Sequence, residues 1–136
     1  MSPTIILENG HPVLCIGASG GSRIVTATQQ VALQHLLFDV PIDTAVAAPR
    51  VHHQGLPDTL RTEEVMPMDP ALLEELIARG HSHELISNVA VVQAISIAAP
   101  HAAEERSDAN VGENSSAPPR LIAVSDPRKG GSPRGR

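Results

Sequence analysis

Phe38 is the only aromatic residue in the 136-residue chain, which has no tryptophan and no tyrosine. Aromatic side chains bury roughly 150–250 Å² each and usually dominate a core. This core must therefore be built from Leu, Ile, Val and the abundant alanines. That makes it thin, although the apolar fraction of 41% is ordinary and excludes wholesale disorder. A thin core points to a piece that completes its packing against something else. Cys15 is the single cysteine, so no intrachain disulfide is possible. No apolar run approaches the ~20 residues of a membrane-spanning helix. An excess of positive charge is missing too. Fifteen acidic against ten basic residues give a net charge of −5, which argues against nucleic acid as the main partner. No cationic stretch precedes an apolar one near Met1, so no secretory signal is expected, and a chain made alone is expected in the cytoplasm.

What is present reads as one domain of short elements. Thr4–Leu7 and Val13–Ile16 are β-favouring runs on either side of Asn9-Gly10, a hairpin signal because both residues tolerate positive φ. Gly17-Ala18-Ser19-Gly20-Gly21-Ser22 reads as a loop that opens into a helix from about Arg23 to Phe38. Apolar residues cover most of that helix, and Arg23, Gln30 and Gln34 form its one polar stripe. The pattern predicts a helix buried on nearly all sides. A short helix over 42–48 is stopped by Pro49, and strands are expected at 51–54 and 59–65. Asp69-Pro70 then starts a helix with an N-cap and an N1 proline, Leu72, Leu73, Leu76 and Ile77 form its apolar face, and Gly80 stops it. Strands at 84–86, 89–98 and 121–124 complete an α+β pattern with mostly antiparallel strands. Residues 99–119 read as a solvated loop insertion and 129–136 as a disordered tail.

Four runs in order carry a resemblance: Met1-Ser2-Pro3-Thr4-Ile5-Ile6; Gly17-Ala18-Ser19-Gly20-Gly21-Ser22-Arg23-Ile24; Ala47-Ala48-Pro49-Arg50-Val51-His52-His53-Gln54 with Leu56-Pro57-Asp58; and Ser125-Asp126-Pro127-Arg128. Together, over residues 1–98 and 120–128, they resemble the C-terminal part of the small subunit of the γ-glutamyltranspeptidase (glutathione hydrolase) family. The resemblance implies part of an N-terminal-nucleophile hydrolase with an αββα sandwich. It also implies a threonine that attacks a γ-glutamyl substrate such as glutathione, with transfer of the acyl group to water, an amino acid or a peptide. It implies no cofactor and no metal. The threonine and the paired serines that bind the α-carboxylate correspond to sequence upstream of Met1. The large subunit and the N-terminal part of the small one are the partners implied. The family is often periplasmic, secreted or cell-surface. The chain alone is therefore expected to be inactive, and the alternative is a non-enzymatic remnant or protein-interaction module. Ala18-Ser19 also depart from the family's Gly-Ser-Pro-Gly-Gly-Ser loop.

Gly20 and Gly21 match the family's pair of oxyanion-hole glycines, and they are the candidate substrate-binding residues here. A tetrahedral intermediate puts negative charge on the former carbonyl oxygen, which preset backbone N–H groups stabilise without reorganising. A Cβ there obstructs close approach of the backbone, and the helix that follows directs its free amides the same way. The plain alternative is a glycine turn with Ser22 as N-cap and no ligand.

The seven histidines raise a metal reading. On a strand, His52 and His53 point to opposite faces and cannot easily share an ion. His81 and His83 can share a face, but no cysteine or carboxylate is spaced to complete a closed site, so packing roles are expected. Arg128, Lys129, Arg134 and Arg136 read as a solvated basic tail, and Cys15 as a small buried residue.

Overall fold

The computed structural model describes residues 3–98 and 119–131. β1 (Thr4–Glu8) and β2 (His11–Ser19) form the expected hairpin, turning at Asn9-Gly10 with φ of 51° and 83°. β2 runs three residues further than expected, because Gly17, Ala18 and Ser19 pair with Gln93, Val92 and Val91 instead of forming a loop. A single 3-10 turn, Gly21–Arg23, leads into α1 (Ile24–Leu37), and α2 (Ile42–Ala47) follows. β5 (Val91–Ala98) and β6 (Arg120–Ser125) complete an antiparallel sheet of order β1-β2-β5-β6.

Between α2 and β5 lies a small satellite. β3 (Leu60–Glu63) and β4 (His83–Ile86) pair in parallel, joined through α3 (Pro70–Ala78), as a parallel pair requires a crossover. α3 has the expected punctuation: the Asp69 carboxylate accepts from the Ala71 amide at 2.8 Å, and Pro70 opens the helix. The expected strand at 51–54 is reduced to one antiparallel bridge between His52 and Arg61. The insertion expected at 99–119 lies outside the described residues except for Pro119. The tail expected at 129–136 begins with Lys129 inside a second 3-10 turn, Pro127–Lys129, and its residues 132–136 lie outside the described range.

Alternation decides which side of the sheet is covered. Leu14, Ile16 and Ala18 of β2 and Val92, Ala94 and Ser96 of β5 face one way and are buried. Ala27 and Val31 of α1, with Ile42, Ala45 and Val46 of α2, pack over them. Burying each such aliphatic side chain contributes about 1.5–3 kcal/mol, and alanines at four of these core positions bring helices and sheet close together without aromatics. On the other side, directly paired residues form a row Ile5–Cys15–Ile95–Ala123 and beside it a row Gly17–Gln93–Ser125. Neither row carries a charge. No described residue covers them as a layer: Ile5 is 64% exposed and Ile95 40%, and the rows line a shallow groove.

The expectation for α1 is corrected in the same way. Only Ala27 and Val31 are buried, whereas Val25 and Leu37 are 68% and 67% exposed, and Leu33 and Leu36 are partly bare. Among the described residues the helix has a sheet on one side only, which leaves its remaining apolar surface exposed. No helix among the described residues is long and apolar enough to cross a membrane.

Candidate active-site turn

β2 ends where Ser19 pairs with Val91, and the chain must then cross the entry to β5 at close range. Gly20 makes that crossing with φ 155°. A Cβ there would lie 2.8 Å from Ala90 Cβ, 3.0 Å from Ala90 Cα and 3.2 Å from the Val89 carbonyl oxygen. Packing alone demands glycine at this position. Gly21 differs: its φ is 64°, it is exposed, and a Cβ would meet nothing within 4 Å. Neither amide donates a hydrogen bond to a described residue. The turn closes through the Arg23 amide on the Gly20 carbonyl at 3.4 Å and the Ile24 amide on the Gly21 carbonyl.

Ser22 does not cap α1. The N-cap position falls on Arg23 with no side-chain cap, and the Ser22 hydroxyl donates instead to Gln54 Oε1 at 3.1 Å. The same oxygen accepts from the Nε2 of buried His52, also at 3.1 Å, while His52 Nδ1 lies 2.8 Å from the Thr26 hydroxyl. Gln30, from the polar stripe of α1, grips the Val51 backbone at both ends: its Nε2 donates to the Val51 carbonyl at 2.8 Å and its Oε1 accepts from the Val51 amide at 3.1 Å. The extended run 50–54 is thereby strapped along the helix that follows the glycine turn. Arg23 Nε is buried without a hydrogen-bond partner among the described residues.

Below this run lies a buried ionic clasp. Arg50 donates to Asp126 Oδ2 at 2.7 Å, to the Ala90 carbonyl at 2.9 Å and to the Val46 carbonyl at 2.5 Å. Arg128 bonds Glu63 through two nitrogens, Asp126 Oδ1 at 3.1 Å, and the carbonyls of Val46 and Ala48 at 3.0 and 2.8 Å. Glu63 and Asp126 accept in addition from the amides of Arg50, Val89, Val92 and Arg128. All four ionic side chains have no exposed surface. Burial pushes the Asp126 carboxyl up, but the Val92 and Arg128 amides and then the Arg50 guanidinium outweigh it and hold it below the usual carboxylate range. Burial likewise lowers Arg128, but Glu63 and Asp126 together raise it above its ordinary value. For Arg50 burial wins, and its value is lowered.

The clasp corrects the reading of Arg128 as part of a solvated basic tail. It also gives a physical reason for two of the four motif runs, since Pro49-Arg50 and Asp126-Pro127-Arg128 are the two halves of one ionic lock. Neither composition nor spacing pairs residues 76 positions apart, and Glu63 sits in no motif. The histidines lie elsewhere. His53 is bonded to Asp58 at 3.0 Å, with the His81 ring packed edge-on against it at 6.2 Å. His83 is bonded to the Thr62 hydroxyl at 2.7 Å. Cys15 is half-buried on the uncovered sheet face.

The family model described as Gamma-glutamyltranspeptidase matches residues 1–135. A glutathione hydrolase proenzyme of Pseudomonas aeruginosa is 44% identical over 85 residues, covering 62% of this chain and 15% of its own length. Glutathione hydrolase 2 of Arabidopsis thaliana is 34% identical over 144 residues, covering 99% of this chain and 22% of its own length. The solved γ-glutamyltranspeptidase of Pseudomonas nitroreducens, complexed with L-DON, matches 100% of this chain and 62% of its own, with 36% identity and a TM-score of 0.78. The chain thus spans less than a quarter of the length of each of these two curated relatives. The register, the sheet and the length matched agree: this chain belongs to the γ-glutamyltranspeptidase family.

Proposed function

We propose that the chain supplies the oxyanion-binding turn of a site that hydrolyses glutathione or transfers its γ-glutamyl group. The nucleophilic threonine and the remaining substrate contacts come from polypeptide outside these 136 residues. The observation that carries this reading is the Gly20-Gly21 turn. Gly20 brings the backbone tightly over β5, and Gly21 leaves an open, unbonded amide at the entrance to a 14-residue helix. When the threonine oxygen attacks the γ-glutamyl carbonyl, the C=O electron pair moves onto oxygen. A preset N–H donor stabilises that charge, and one such donor is typically worth ~10²–10³ in rate. Collapse of the intermediate breaks the C–N bond and expels the amine of cysteinylglycine, which takes up the proton the threonine hydroxyl gave up on attack, and the acyl-enzyme then passes the glutamyl group to water or an amine. The test is complementation: the chain is combined with the part of a glutathione hydrolase that precedes the matched region, and γ-glutamyl release is assayed. No activity from a demonstrated complex counts against the reading.

The uncharged, uncovered sheet face supports a second reading, in which the chain binds another protein and does no chemistry. Stable association with the complementary polypeptide, without turnover and without any effect of Gly21→Ala, favours that one.

A further inference from the structure

We propose that Gln54, oriented by buried His52, is a positioning residue that fixes the Gly20–Gly21 turn. The inference rests on the oxyanion reading given above. Residues 20–22 hold themselves weakly, through one backbone bond of 3.4 Å and the first 3-10 contact of the turn. Gly21 touches nothing where a side chain would be. The Ser22 hydroxyl on Gln54 Oε1 is the one side-chain hydrogen bond that ties residues 20–22 to the rest of the described structure.

Gln54 is suited to hold that bond because its own orientation is set from two sides. Its Nε2 donates to the Leu56 carbonyl at 2.9 Å, which turns Oε1 toward Ser22 and His52. His52 Nε2–H then donates to the same oxygen at 3.1 Å. With its proton on Nε2, the ring accepts at Nδ1 from the Thr26 hydroxyl, in the first turn of α1, which also lies 3.0 Å from the Arg23 carbonyl. The run Thr26–His52–Gln54–Ser22 therefore closes a loop of hydrogen bonds from the helix start, through a buried imidazole, back to the turn before that helix. Its base is rigid: Arg50 is locked in the ionic clasp, Val51 is gripped by Gln30, and His52 exchanges two backbone bonds with Arg61, at 2.9 and 2.8 Å. Donors that must meet a developing charge need positions fixed before the reaction, and a small misplacement far from the chemistry lowers rate, not affinity.

The experiment uses the ¹⁵N-labelled full chain with Gln54→Ala, Gln54→Glu and Ser22→Ala. A glutamate carboxylate still accepts from both Ser22 and His52 and gives up only the bond to the Leu56 carbonyl, so Gln54→Glu keeps the contacts that tie the turn and is the conservative variant. Backbone order parameters at Gly21 and Ser22 are expected near ~0.85 in the parent and in Gln54→Glu, and below ~0.6 in Gln54→Ala and Ser22→Ala. Leu14 and Val31 amides should stay unchanged in all four. In the complemented enzyme, Gln54→Ala should lower kcat by about tenfold or more with KM unchanged, and Gln54→Glu should restore it. Unaltered order parameters in Gln54→Ala overturn the proposal, and so does a loosened turn with undiminished kcat. If the parent complex itself shows no turnover, the oxyanion reading fails, and the order parameters still decide whether Gln54 positions the turn.

Discussion

At Gly20 an added methyl group meets Ala90 at 2.8 Å, whereas at Gly21 it meets open space. The two adjacent glycines therefore separate a packing demand from the oxyanion role proposed above. Gly20→Ala should destabilise the chain by about 1–3 kcal/mol through overpacking against β5. Gly21→Ala should cost only the backbone penalty of a left-handed alanine, about 1–2 kcal/mol. In the complemented enzyme, however, Gly21→Ala should lower kcat by ~10²-fold or more, because its Cβ occupies the approach to the amides. Urea titration and turnover measured on the same two variants check both halves. Acid sensitivity also belongs to this scale. Asp126 is held below the usual carboxylate range in the folded chain, so the unfolded chain binds its proton first as pH falls. Its stabilising contribution is complete above the unfolded value of about 4 and is lost as pH drops from there through the folded value. Asp126→Asn should remove that part of the acid slope.

Between elements, the clasp joins the end of α2, the start of β5, strand β3 and the turn after β6, which are far apart in the chain. Removing one member of a buried ionic group strands the others without water, at a cost of about 3–5 kcal/mol. Arg128→Ala should therefore lower the stability of the whole unit by that amount in chemical denaturation, a loss no solvated tail residue would produce. The hairpin and α3 were legible in the sequence because their signals are local: Asn9-Gly10 between apolar runs, and Asp69-Pro70 ahead of Leu72 and Leu73. The extension of β2 to Ser19 was not, since Gly17 and Ser19 are loop-type residues and only pairing with Gln93 and Val91 makes them strand. The clasp was quoted in the motif runs, but its physics was invisible, because charge pairing across 76 positions leaves no periodicity. Likewise the glycine pair was singled out by resemblance alone. The difference between its two members appears only once Ala90 is seen beneath the first.

At the scale of the whole molecule, the described residues form a helix layer on a sheet whose other face none of them covers. The apolar circumference of α1 exceeds what packing on one side requires, since only Ala27 and Val31 of it are buried. An αββα sandwich stacks a second sheet on such a face, and the groove through Ile5, Cys15, Ile95 and Ala123 has the uncharged rows for it. Ile95→Lys should leave the circular dichroism of the chain unchanged, because Ile95 is already 40% exposed. It should weaken association with the complementary polypeptide by about tenfold or more, since a charge buried at an interface without a partner is costly. An equal affinity for parent and variant would move the contact to another surface. The most direct measurement is γ-glutamyl release from glutathione by the chain combined with the threonine-bearing remainder of a glutathione hydrolase, with Gly21→Ala beside it. The account predicts turnover in the parent complex and a drop of ~10²-fold or more in the variant; an associated complex that turns over equally well with either would contradict it.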